Sequence, residues 1–201
     1  LAAVDEEKFE AAVAAAKETA GEVTTAALLR IRDANTRAST SGEDEWYTPA
    51  QYVERARQAL GRIDVDPASN KFAQRKVKAE VYFTAEQDGL AQEWRGTVWL
   101  NPPYSRGLMD KFVGKLLEEI AAGRTKQAVL LTHNFTDTGW FRRAWDAASA
   151  VCFTYGRIKF YNEDGEGSSP TSGHVFFYFG PHAERFLRGF NDVGNITRVT
   201  R

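Results

Sequence analysis

The 201-residue sequence predicts an α/β fold, a mostly parallel sheet covered by helices on both faces. Three observations carry this. Short apolar runs with strand character alternate with longer stretches of helical period. The clearest helical stretch, Leu108 to Ala122, places apolar residues at 108, 109, 112, 113, 116, 117 and 120 with Lys and Glu between, the pattern of a helix lying on a sheet. The run Val98-Trp99-Leu100 ends abruptly at Asn101-Pro102-Pro103-Tyr104, a loop at a strand's carboxyl end, where open α/β sheets hold their ligands.

Taken in order, residues 5–20 (DEEKFEAAVAAAKETA) form an Ala-rich amphipathic helix, with Phe9, Val13 and Ala16 on one face and acids in its first turn. Gly21 ends it, and a second short helix spans Ala26 to Ala34. The pair is either a packing arm or oligomer contact, the favoured reading, or a remnant helix-turn-helix. Residues 35–45 are small and polar, a linker, so the division is an N-terminal helical arm over 1–44 and one domain over 45–201. Thr48 is placed to cap a helix from Ala50 to Leu60 with Pro49 as its first residue. A short buried strand, Ile63 to Asp66, turns at Pro67. Residues 71–80 carry four Lys or Arg and form a short exposed helix, followed by a brief strand, Val81 to Thr84. Gly123 ends the Leu108 helix, and Ala128 to Thr132 is the next buried strand. Thr138 or Asp137 caps a helix that begins in the segment 134–141, and Val151–Tyr155 and His174–Phe179 are two further strands separated by a loop rich in Gly, Ser and Asp over 162–173.

Composition excludes several classes. No apolar run approaches the roughly 20 residues needed to span a bilayer. A single cysteine, Cys152, rules out an internal disulfide framework and fits a reducing cytoplasm. Three scattered histidines and that cysteine make no zinc-site spacing, so no metal is expected. Net charge is −1, unlike a globally basic nucleic-acid binder. Its distribution is uneven: residues 1–100 hold 13 Lys/Arg against 17 Asp/Glu, and residues 101–201 hold 13 against 10. A positive half around the 101–104 loop suits phosphate.

The tetrapeptide itself suggests a chemistry. Pro102 and Pro103 have no N–H, stop the strand and stiffen the loop, so Asn101 and Tyr104 project from a rigid mount. The Asn101 side-chain carbonyl and the Pro102 backbone carbonyl can each accept one hydrogen from an NH2 group. That pair of bonds keeps the nitrogen lone pair out of an attached ring and makes it nucleophilic. Tyr104 offers a ring face for stacking, with no task for its hydroxyl, and each base–aromatic contact is worth roughly 1–3 kcal/mol. A chance Pro-Pro turn is the alternative on these four residues alone.

Asn-Pro-Pro-Tyr resembles the Asn/Asp-Pro-Pro-Tyr motif of S-adenosylmethionine-dependent amino-methyltransferases. With WYTP (46–49), DVDPAS (64–69), DGL (88–90) leading to Trp94 and Gly96, the segment 134–141 and GRIKF (156–160), about residues 45–180 resemble the phage-type DNA N6-adenine methyltransferases. The resemblance implies a class I methyltransferase, Rossmann-like fold and S-adenosylmethionine as cofactor. It implies double-stranded DNA as partner, in the cytoplasm of a bacterial host. It assigns Asn101, Pro102, Pro103 and Tyr104 to catalysis. Tyr47, Thr48, Pro49, Asp66, Ala68, Asp88 and Asn101 go to the cofactor, with Asp66 near its methionine end and Asp88 on its adenine amine. Ser69 is a weaker member, and Glu80 and Asp64 are candidates for the ribose. Arg106, Arg142, Arg143, Arg157 and Lys159 are candidate phosphate contacts. The departure is Asn101, where many DNA enzymes carry Asp; similar motifs occur in enzymes acting on RNA adenine and on protein glutamine amides.

Overall fold

The computed structural model of the protein describes residues 46–105, 107–165, 167 and 171–200. The expected N-terminal arm therefore lies outside the described residues. From Trp46 the elements run α1 (Ala50–Leu60), β1 (Val65–Asp66), α2 (Gln74–Val77), β2 (Val81–Tyr82), a 3-10 turn (Gly89–Ala91), β3 (Gly96–Leu100), α3 (Leu108–Ala121), β4 (Thr125–His133), α4 (Gly139–Ala147), β5 (Ala150–Thr154), β6 (His174–Phe179), α5 (Ala183–Phe190) and β7 (Gly194–Arg198).

The seven strands make one sheet in the order β2-β1-β3-β4-β6-β5-β7. Pairing is parallel from β2 through β1 and β3 to β4, with Val65 opposite Val81 and Val98, and Leu100 opposite Leu130. The sheet is mostly parallel in its core, as expected, and the other half adds two strands, β6 and β7, that run against the other five. β6 lies between β4 and β5 and is antiparallel to both, and β7 pairs antiparallel with β5. The reason is the connection: among the described residues no helix separates β5 from β6, so the chain turns back beside the strand it has just left, whereas a parallel return needs a crossover. Neither α5 nor β7 is among the elements expected from the sequence.

Helices do cover both faces. Strand alternation sends Trp99, Val129, Leu131, Phe176 and Tyr178 to one side, where Val53, Ala56 and Leu60 of α1 and Phe186 and Phe190 of α5 pack on them. Val98, Leu100, Ala128, Leu130 and Phe177 face the other side, against Met109, Phe112, Val113 and Leu116 of α3 and Phe141 and Ala144 of α4. Both layers are almost wholly buried, so β3 and β4 cannot shift register without moving a full set of core side chains.

Two further ties fix the centre. Asp64 accepts from the Thr97 backbone N–H at 2.8 Å and the Thr97 hydroxyl at 3.1 Å, and pairs with Arg62. Gly96, at φ +88°, is required there, since a Cβ would sit 2.1 Å from the Asp64 carboxylate. Glu119 of α3 is fully buried and is held by Arg124, Lys115 and the Trp94 backbone N–H. The Arg124 hydrogen bond, outweighing the cost of burial, brings its carboxyl down to about 2.

Candidate active site

The strand order reverses between β1 and β3, and the carboxyl ends of these two strands carry Asp66-Pro67-Ala68 and Asn101-Pro102-Pro103-Tyr104. Such a switch point is where a parallel sheet opens a crevice. Asn101, one residue past β3, is half-buried, Pro102 is buried and Pro103 is exposed. The Asn101 amide donates from Nδ2 to the Thr48 hydroxyl at 3.1 Å, and its Oδ1 accepts from the Tyr104 hydroxyl at 3.0 Å. Thr48 is therefore not the cap of α1. Pro49 stands at the cap position, with φ −53° and ψ 137°, and no side chain closes that helix end. The Thr48 hydroxyl instead steadies Asn101, and the Tyr104 hydroxyl has a partner that its sequence context did not suggest.

Tyr104 lies flat on His133, the last residue of β4, with ring centroids 4.2 Å apart and an interplanar angle of 17°. Phe160 meets the tyrosine edge-on at 6.3 Å. His133 also touches Phe135 at 4.9 Å and His174 at 5.3 Å. His174 is buried, and its Nδ1 accepts from the Ile158 backbone N–H at 3.2 Å. Burial, with the neighbouring His133 second, pushes His174 down to about 4, and burial lowers His133 too. Both rings are neutral near pH 7. Burial raises the Tyr104 phenol, so it remains a donor.

Asp66 ends β1, 2% exposed. Its carboxylate accepts from Gln74 Nε2 at 2.8 Å, and the same amide reaches Ser69 Oγ at 2.8 Å. Burial pushes the Asp66 carboxyl up to about 7 against the lowering hydrogen bonds of Ser69, Ala68 and Gln74. The turn that follows is held by Phe83, whose N–H donates to the Asp66 carbonyl at 3.1 Å and whose carbonyl accepts from the Ser69 N–H at 3.0 Å. Asp88 sits in a left-handed conformation, φ 47°, and accepts from the Leu90 N–H at 3.1 Å. Gly89 presses so closely on this turn that a Cβ would lie 1.9 Å from the Pro67 carbonyl oxygen, and its own carbonyl accepts from Trp94 Nε1 at 2.8 Å. The structure thus brings the Asp66–Ala68 and Asp88 segments together.

Other expected members are placed differently. Tyr47 is buried by Phe72 at 4.5 Å and Tyr161 at 5.9 Å, and its backbone bridges to Tyr161. Its hydroxyl accepts from Asn70 at 2.9 Å, so the residue ties the start of α1 both to the segment after β1 and, through Tyr161, to the segment after β5. Asp64 accepts from Thr97 and pairs with Arg62, and Glu80 is exposed. Arg142 pairs with Asp146, and Arg143 with Asp110 at 2.8 Å. Arg157 and Lys159 are exposed on either side of buried Ile158. Arg106 lies outside the described residues. His133, His174 and Phe135 escaped the sequence reading; the available signal was an imidazole closing the strand next to the motif strand.

The chain is similar in sequence to known proteins. The chain resembles a protein of Escherichia phage T1 named DNA N-6-adenine-methyltransferase, with 29% identity over 161 residues, 79% of this chain and 63% of that relative. It therefore spans less than two thirds of the relative's length. A family model described as DNA N-6-adenine-methyltransferase (Dam) matches residues 35–190, both the Asn101–Tyr104 loop and the Asp66 and Asp88 segments included. The chain belongs to the DNA N-6-adenine-methyltransferase (Dam) family.

Proposed function

We propose that this protein transfers a methyl group from S-adenosylmethionine to the exocyclic N6 amine of adenine in double-stranded DNA, with residues 45–201 as the catalytic domain. The observation that carries the reading is Asn101: a half-buried amide on a proline-stiffened loop at the switch point, steadied at its Nδ2 by Thr48, with its Oδ1 an acceptor now met by the Tyr104 hydroxyl.

The cofactor fits the other half of the crevice. Asp66 is a buried carboxyl, and no Lys or Arg among the described residues pairs with it. A cationic ligand beside it compensates the burial, and S-adenosylmethionine carries an ammonium and a sulfonium charge. When bound, that cofactor supplies a methyl carbon activated toward nucleophiles by the positive sulfur. Asp66 and Ala68 would line its methionine end, the N-terminus of α1 after Thr48 and Pro49 would hold its carboxylate, and Asp88 would accept from its adenine amine.

Asn101 Oδ1 and the Pro102 carbonyl would hold the two hydrogens of the target amine, which keeps its lone pair out of the ring and nucleophilic. The methyl group that the cofactor would supply would pass to that nitrogen with the electron pair of the broken bond left on sulfur, and the amine would give up one proton to solvent. Positioning is the protein's main contribution, since the electrophile is already activated. Tyr104 stacks on the base after it leaves the duplex, an extrusion that costs a few kcal/mol. Arg157 and Lys159, with Arg142 and Arg143 once released from their acidic partners, meet phosphates.

Mapping modified bases in DNA from cells that express the protein and lack other methyltransferases tests this directly. N6-methyladenine at a defined sequence is expected, and DNA free of it would contradict the reading.

A further inference from the structure

Among the described residues Phe135 is one of few large apolar side chains left exposed, at 42%, and it does not stand alone. Its ring lies 4.9 Å from His133, which stacks at 4.2 Å on Tyr104, whose hydroxyl reaches Asn101. Three rings therefore lead in unbroken contact from solvent to the motif loop. The mount is firm. The Phe135 carbonyl accepts from both the Thr138 N–H at 3.1 Å and the Thr138 hydroxyl at 2.8 Å, and the loop is tied back by Asn134 N–H to the Gly173 carbonyl at 3.1 Å. A single exposed Phe needs no explanation, but one held rigid at the outer end of an aromatic ladder does. β5 runs in the same sense as β4, so Tyr155, 68% exposed, leaves the same edge of the sheet, with Arg157 just beyond it. Aromatic faces interleaved with cations suit stacked bases and their phosphates.

We infer that Phe135 contacts the DNA itself, entering the base stack at the position the target adenine vacates and so favouring the extruded state. This rests on the proposed DNA reading. An aromatic wedge substitutes its own face for the lost neighbour, which lowers the cost of unstacking. It acts only where there is a stack to repair. Its loss matters for a paired target and little for one that is already loose.

The test compares wild type, Phe135→Ala and Phe135→Trp on duplexes carrying the mapped site, with the target adenine paired to thymine or placed opposite an abasic position. Thermal melts of each variant check folding, and substituting an exposed ring leaves the core intact. Phe135→Ala should lose tenfold or more on the paired duplex and less than threefold opposite the abasic position, while Phe135→Trp stays within threefold on both. 2-Aminopurine at the target should brighten on binding to wild type and not to Phe135→Ala. An equal loss on both duplexes, or no loss on the paired one, overturns the inference while leaving the DNA reading intact. A wild-type protein that methylates neither duplex overturns both.

Discussion

The Tyr104 hydroxyl donates to Asn101 Oδ1 across 3.0 Å, so the oxygen assigned to the target amine already holds a hydrogen bond. The amine must share or displace that donor. Tyr104→Phe removes the competitor and keeps the ring, so turnover on duplex DNA should stay within about threefold of wild type, with the KM for DNA unchanged or lower. Tyr104→Ala removes the stacking face and should cost roughly 5- to 150-fold, the equivalent of 1–3 kcal/mol. Steady-state kinetics in which Phe is as poor as Ala would make the hydroxyl itself necessary.

Gly89 sets the distance between the Asp66 and Asp88 segments. A methyl group there meets the Pro67 carbonyl at 1.9 Å, a backbone atom that can move only by carrying the turn with it. Gly89→Ala should weaken S-adenosylmethionine binding by more than tenfold, measured by calorimetry, with the melting temperature lowered by only a few degrees. Wild-type affinity would show that the turn does not hold the cofactor.

Asp66 should leave a signature in stability against pH. Burial raises its folded value to about 7 from the ordinary 3.8, so the native state holds this proton more tightly than the unfolded chain. The stability it contributes is full below about pH 4 and is lost as pH rises toward and through 7. Asp66→Asn removes that loss. Denaturant unfolding should find it more stable than wild type at pH 8, by up to about 4 kcal/mol at 1.36 kcal/mol per pH unit, and no more stable at pH 4. A constant difference across that range would mean the carboxyl is not perturbed.

Glu119 behaves in the opposite sense. Arg124 holds its carboxyl at about 2, below the ordinary 4.5, so its contribution is present above pH 4.5 and fades as acid brings the pH toward 2. Glu119→Gln should cost about 1–3 kcal/mol at pH 7, because it strips a charge from a fully buried hydrogen-bonded group. The deficit should shrink in acid; chemical denaturation at pH 7 and pH 3 measures it.

Much of this was legible in local patterns. The Leu108–Ala121 helix carries its apolar stripe openly, and the Val98–Leu100 run with two prolines behind it marks both the strand and the loop. β6 was visible as a strand, but its insertion between β4 and β5 was not, because partner choice is settled by contacts far apart in sequence. β7 is mostly exposed, with Ile196 as its one large apolar residue, and offers almost no strand signal. α5 has one, apolar at 183, 186, 187 and 190, which escaped the sequence reading. Thr48 misled because a threonine before a proline reads as a helix cap, while its true partner, Asn101, is 53 residues away. Phe135 and His133 gain meaning only through Tyr104, a contact that no spacing along the chain announces.

The most direct test of the central claim is a digest. Purified protein is incubated with methyl-labelled S-adenosylmethionine and unmethylated duplex DNA, with RNA and a cell protein extract in parallel, and the products are reduced to nucleosides or amino acids. Wild type should place label in N6-methyladenine from DNA, and Asn101→Ala should place none while binding the cofactor within a few fold of wild type. Label confined to RNA or to protein, or recovered as 4-methylcytosine, would contradict the assignment.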